Sequence, residues 1–112
     1  MSKPKSHPSR YLQDWDEKQV EYCRANNIAR LYFSNDAVMD ILASFQSADL
    51  DLPDHRKVAE ILTKDAMEWA REQGRPCELI GEMEPHRDGR YYADLKFTNL
   101  EDAALCRLFC TN

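Results

Sequence analysis

Four small groups of residues carry the chemistry legible in this chain. The first is His55-Arg56-Lys57, which the flanking pattern places in the first turn of a helix. A cation there opposes the helix dipole by about 0.3–1 kcal/mol. The same helix start, with its unbonded N–H groups, suits a phosphate or a carboxylate. Asp49, Asp51 and Asp54 lie just upstream and give the competing account, local neutralisation. No glycine-rich loop precedes this helix, so a nucleotide cradle is not expected.

The second group is Asp49-Leu50-Asp51-Leu52, directly before Pro53. Two leucines between acids either plug the edge of a core between two helices or dock on an apolar groove with a basic rim. The third is Glu82, Tyr92, Asp94 and Lys96. Two carboxylates on neighbouring strands can hold a divalent ion or share a proton, or form an ordinary solvated face. Tyr32 joins that face if the strands align, and aromatic residues beside charges favour protein contacts.

The fourth group is Cys106 and Cys110, with Cys77 and His86. Structural zinc wants four converging ligands, with closely spaced cysteine pairs. A single C-x3-C does not supply them, and buried thiols behaving as small apolar side chains are the expectation. His86 stands beside Asp88 in a turn, with no nucleophile placed for it. No catalytic residue, cofactor or metal is therefore expected.

These groups need elements to hold them. Residues 1–10 contain Pro4 and Pro8 and read as a flexible basic tail; residues 11–112 read as a single domain. A first helix is expected from Asp14 to Asn26, with Asp14 as cap and Glu17 completing a capping box. Alternation in I-A-R-L-Y-F, residues 28–33, argues for a strand. Ser34 or Asn35 caps a second helix near 36–46, whose Val38, Ile41, Leu42 and Phe45 share one face. Pro53 and Asp54 open a third, ending at Gly74. Residues 77–84 and 90–97 flank P-H-R-D-G and predict a hairpin. The expected register sets Glu78 against Lys96, Ile80 against Asp94, Glu82 against Tyr92 and Glu84 against Arg90. The small pair Gly81–Ala93 is read as room for a helix. Thr98 and Glu101 form a capping box for a last helix, although residues 105–110 also suit a strand.

The expected fold class is α+β, in the order α-β-α-α-β-β-α. Its three-stranded antiparallel sheet has order 1-3-2, a split β-α-β layout like a ferredoxin-like sandwich without a certain fourth strand. Helices cover the apolar face, and the ionic face stays open.

The 112 residues carry 15 Lys+Arg against 20 Asp+Glu, a net charge of −5. Lys3, Lys5 and Arg10 sit in the first ten residues, so the rest of the chain is more acidic still. An acidic body repels phosphate backbones. No apolar run reaches the roughly 18 residues of a membrane span, and no export signal opens the chain. The expectation is a cytoplasmic protein-interaction module, accessory or inhibitory and non-enzymatic, whose protein partner has a basic surface. Its contact residues would be Asp49, Leu50, Asp51, Leu52, Tyr32, Glu82, Tyr92 and Asp94, and an edge strand could also support a homo-oligomer. The alternative is a nucleic-acid-associated regulator using the basic tail with His55, Arg56, Lys57, Arg87 and Arg90. A metal-dependent enzyme ranks third.

Overall fold

The computed structural model describes residues 8–110, with side chains from residue 16 onward. The elements are α1 (Pro8–Ala25), β1 (Ile28–Phe33), α2 (Asn35–Ser47), α3 (His55–Glu72), β2 (Cys77–Pro85), β3 (Tyr91–Phe97) and α4 (Leu100–Cys110). Residues 1–7 of the expected tail lie outside the described residues. The rest of that tail is helical: α1 begins at Pro8, well before Asp14. Proline suits a first helical position because its missing N–H would have no partner there.

Local chemistry sets the other boundaries. The Ser34 hydroxyl accepts the Ala37 N–H at 3.1 Å and starts α2. Asp54 accepts the Lys57 N–H at 2.8 Å and starts α3. At α4 the cap is Asn99 rather than Thr98: its Oδ1 accepts the Asp102 N–H at 2.9 Å, and its amide donates to the Asp102 carboxylate at 3.2 Å. Asp102 thus takes the reciprocal role expected of Glu101, while Arg75 donates to its other oxygen. Residues 105–110 are helix.

The sheet is antiparallel with order β1-β3-β2. Its apolar face presents Ala29, Leu31, Leu79, Ala93, Leu95 and Phe97 to Val38 of α2, to Val58, Ala59, Ala66 and Ala70 of α3, and to Ala103 and Cys106 of α4. Burying a large apolar side chain there stabilises by about 1.5–3 kcal/mol. Thr63 is the buried hydroxyl of this layer, and it donates to the Ala59 carbonyl at 2.7 Å. The small alanines of β1, β3 and α3 let the helices lie close to the strands.

The hairpin register agrees with expectation from Cys77↔Phe97 to Ile80↔Asp94 and then departs from it. Tyr92 pairs with Glu84, not Glu82, and Gly81, Glu82 and Met83 stand against Ala93 alone. This bulge needs Gly81, whose φ is +69°, a value that side-chain-bearing residues avoid. Gly81 therefore turns the strand; it does not make room for a helix. Met83 still reaches the core.

The second face is not left fully open. α1 lies against β1, and Cys23 and Ile28 are buried there, at 4% and 1% exposure. Lys96 donates to the Asn26 carbonyl at 2.8 Å, tying the end of α1 to β3.

Candidate functional site

On the second face, the β1–β3 register sets Arg30 against Asp94 and Tyr32 against Tyr92. The Arg30 guanidinium grips the Asp94 carboxylate with two hydrogen bonds, at 2.8 and 2.9 Å, and donates a third to Gln19 of α1 at 2.7 Å. It also lies 4.0 Å from the Tyr92 ring centre. The two ionic side chains are only 8% and 13% exposed. Burial works against the Arg30 charge, but the Asp94 partner more than offsets it and raises the guanidinium above its ordinary value.

The hairpin turn adds a second layer. The His86 N–H bonds the Arg90 carbonyl at 2.7 Å, and Gly89, with φ +94°, closes the loop. Asp88 accepts from the Arg90 backbone and side chain at 2.9 and 2.8 Å, and its Oδ1 lies 2.9 Å from His86 Nδ1. The Arg90 hydrogen bonds hold the Asp88 carboxyl below the usual carboxylate range. Arg90 covers the Tyr32 ring at 4.4 Å, and His86 meets that ring edge-on with centres 5.3 Å apart. Burial raises the Tyr32 and Tyr92 phenols and the Cys23 thiol. Arg87 reaches across to Asp16 of α1 at 2.5 Å.

Between α1 and this turn lies a cleft of about 530 Å³. Its polar walls are Arg30, Arg87, Arg90, Arg107, His86, Asp16 and Asp88, and its apolar wall includes Val20, Cys23 and Tyr32. Of these, sequence reasoning placed Tyr32 on a protein-contact face, and Arg87 and Arg90 in the alternative nucleic-acid surface. Arg30 carries a signal, an arginine alternating with Tyr32 along β1. Its pairing with Asp94 depends on a register between strands more than sixty positions apart, which no local pattern encodes.

The expected open-face group is divided by the structure. Tyr32 and Tyr92 do share a face, with ring centres 6.0 Å apart. Asp94 is spent on Arg30. Glu82 borders a shallow hollow with Glu84, Tyr92 and Asp94, but its carboxylate lies 3.4 Å from His55 Nδ1. No group of three or more His, Cys, Asp or Glu side chains gathers for a metal ion among the described residues.

The cations at the start of α3 each have a neighbour. His55 faces Glu82, while Arg56 and Lys57 face Glu60 at 3.5 and 3.8 Å. Arg56 also donates to the Leu79 and Gly81 carbonyls of β2, at 3.1 and 2.7 Å.

The acidic-leucine loop takes the exposed form. Leu50 and Leu52 are 59% and 57% exposed, so they do not plug the core edge. The loop leaves α2 through a defined turn: the Leu50 N–H returns to the Phe45 carbonyl at 2.9 Å, and Asp49 adopts φ +57°. This is a helix ending usually made with glycine. Gly74 makes the equivalent ending of α3, with Arg75 N–H bonding the Ala70 carbonyl at 2.8 Å.

Burial also raises the thiols of the cysteine group, Cys106 to about 12. No helix among the described residues is long and apolar enough to cross a membrane. No protein-family model, curated protein or solved structure matches the chain.

Proposed function

We propose that this chain is a protein-interaction module, accessory or inhibitory to its partner, which it engages through the loop between α2 and α3. The observation that carries this reading is the exposure of Leu50 and Leu52 on a fixed loop between carboxylates. Apolar side chains at more than half exposure lose hydration on docking, and each contributes through the area removed from water. Asp49 and Asp51 flank them, and Asp54 stands at the start of α3. Such a loop complements an apolar groove with a basic rim, because opposite charges steer the encounter and reject acidic surfaces.

The backbone supports the same reading. Asp49 holds a left-handed conformation with a side chain present, one that Asn and Asp adopt more readily than other side-chain-bearing residues. Its carboxylate remains next to Leu50, where glycine would have ended the helix without strain.

The test compares the wild type with Leu50→Asp/Leu52→Asp. A partner captured by the wild type is identified and purified, and its affinity for both proteins is measured at low and moderate salt. The expected result is binding weakened at least about tenfold in the variant, unchanged thermal unfolding, and wild-type affinity that falls with salt. Equal binding by the two proteins would end the proposal.

A further inference from the structure

A second surface carries an independent inference. A hollow of about 360 Å³ opens between Tyr22 of α1 and the β2–β3 pair, over Ile80, Gly81, Glu82, Glu84 and Tyr92. The bulge in β2 makes it. Gly81, Glu82 and Met83 stand against Ala93 alone, and a strand bends at such a bulge and re-aims its side chains. The space over the bulge is open: a Cβ added at Gly81 would meet nothing within 4 Å.

The walls of the hollow are aromatic and its rim is anionic. Tyr22 is 50% exposed; among the described residues its ring meets no other ring and its hydroxyl makes no hydrogen bond. Tyr92 already carries one guanidinium, that of Arg30, 4.0 Å from its ring centre. Arg30 and Asp94 also border the hollow, but two hydrogen bonds join them, so their charges cancel at short range. The Glu84 carboxylate makes no ion pair among the described residues. Glu82 has the His55 contact at 3.4 Å, exposed on both sides. The balance of charge around the hollow is therefore negative, and it rests chiefly on Glu84.

From this geometry we propose that the hollow receives an arginine side chain presented by a protein partner. A guanidinium is planar and weakly hydrated, so it lies flat on the open Tyr22 ring at a small desolvation cost. Its fork then offers paired donors to the carboxylate of Glu84, with Glu82 beside it, in the geometry that carboxylates prefer. A lysine ammonium is a compact charge that holds its water more tightly and has no flat face to stack. A divalent ion is a poorer occupant, because no three carboxylates gather for one among the described residues. Tyrosine and arginine are also the residues on which contact energy between proteins concentrates. The hollow uses no residue of the acidic-leucine loop, so either proposal can fail without the other.

The experiment is an amide-resolved NMR titration of the full chain at constant ionic strength and neutral pH. The probe is capped glycyl-arginyl-glycine, with lysyl and citrullyl versions as controls; citrulline keeps the shape of arginine and removes its charge. The arginine peptide is expected to give saturable shifts confined to Tyr22 and its neighbours in α1, residues 80–84 and residues 92–94. Its affinity should exceed that of the lysine peptide by about threefold or more, and the citrulline peptide should not saturate. Glu84→Gln and Tyr22→Ala should each weaken binding by about threefold or more and leave the melting temperature unchanged. Glu72→Gln, at the exposed end of α3, should not alter it. Absence of saturation with the arginine peptide overturns the proposal, as does equal affinity for the lysine or the citrulline peptide. So does insensitivity to both hollow variants.

Discussion

Asp94 and Leu95 are adjacent in β3, and both are withdrawn from water, one on each face of the sheet. Leu95 is fully buried among alanines, leucines and Phe97. Its contribution is non-directional and tolerant of small shifts. Asp94 is 13% exposed and depends on one partner, the fork of Arg30. Its face is held by directed bonds that fit a single arrangement, with Gln19 and Tyr92 completing the cage around the cation. The apolar face supplies stability in bulk. The ionic face fixes where α1 and the hairpin turn stand, and so shapes the cleft between them.

The sharpest way to break this contrast is to remove one partner of the ion pair. Asp94→Ala leaves a buried guanidinium without its counter-charge and should cost about 3–5 kcal/mol. Leu95→Ala should cost about 2–5 kcal/mol through lost burial and the cavity left behind. Urea unfolding measures both. The double replacement Arg30→Met/Asp94→Leu should recover most of the loss, because neither charge is then stranded. If Asp94→Ala is nearly neutral, the ionic face is ornamental and the contrast fails.

Gly81→Ala probes the bulge. Nothing lies within 4 Å of the added methyl, so any cost arises from the positive φ alone, about 1–2 kcal/mol. A neutral result would mean that the strand can flatten into the regular register.

Cys106 gives the apolar face a pH dependence of its own. Burial, then the neighbouring Cys110, raises the Cys106 thiol from 9.0 to about 12. A value raised on folding favours the folded state while the thiol is protonated, and that advantage disappears as the pH rises through the folded value. Wild-type stability should therefore hold up to about pH 9 and decline towards pH 12, with a shallower decline in Cys106→Ala, followed by denaturation midpoints. Identical slopes would refute the assignment to Cys106.

The smallest effect is expected at Asp49. Asp49→Gly relieves the left-handed strain and should stabilise by up to about 1 kcal/mol, less the entropy glycine adds to the unfolded chain. If the loop docks as proposed, the same change weakens partner binding.

Much of the fold was legible because its signals are local. Alternation placed β1 at residues 28–33 and the hairpin from Cys77 onward, and side-chain caps located α2 and α3. Where two local signals conflicted, the reading missed. Pro8 reads as a breaker but also suits a helix start, and Gly81 reads as a small residue but was needed for its φ. The cleft was the least legible part. It joins α1, the turn and α4, and depends on contacts between residues far apart in sequence, such as Arg87 with Asp16. The exposure of Leu50 and Leu52 was undecided for a related reason: the pattern of acids and leucines is the same whether the loop folds inward or outward.

Arg56 has a consequence beyond its own helix. β2 is an outer strand, and its Leu79 and Gly81 carbonyls are both taken by the Arg56 guanidinium. Those oxygens would otherwise be a ready template for an extended segment of another molecule, the first step of strand-by-strand aggregation. A single side chain from α3, beside a bulge that already bends the strand, discourages further ribbons from joining at that edge.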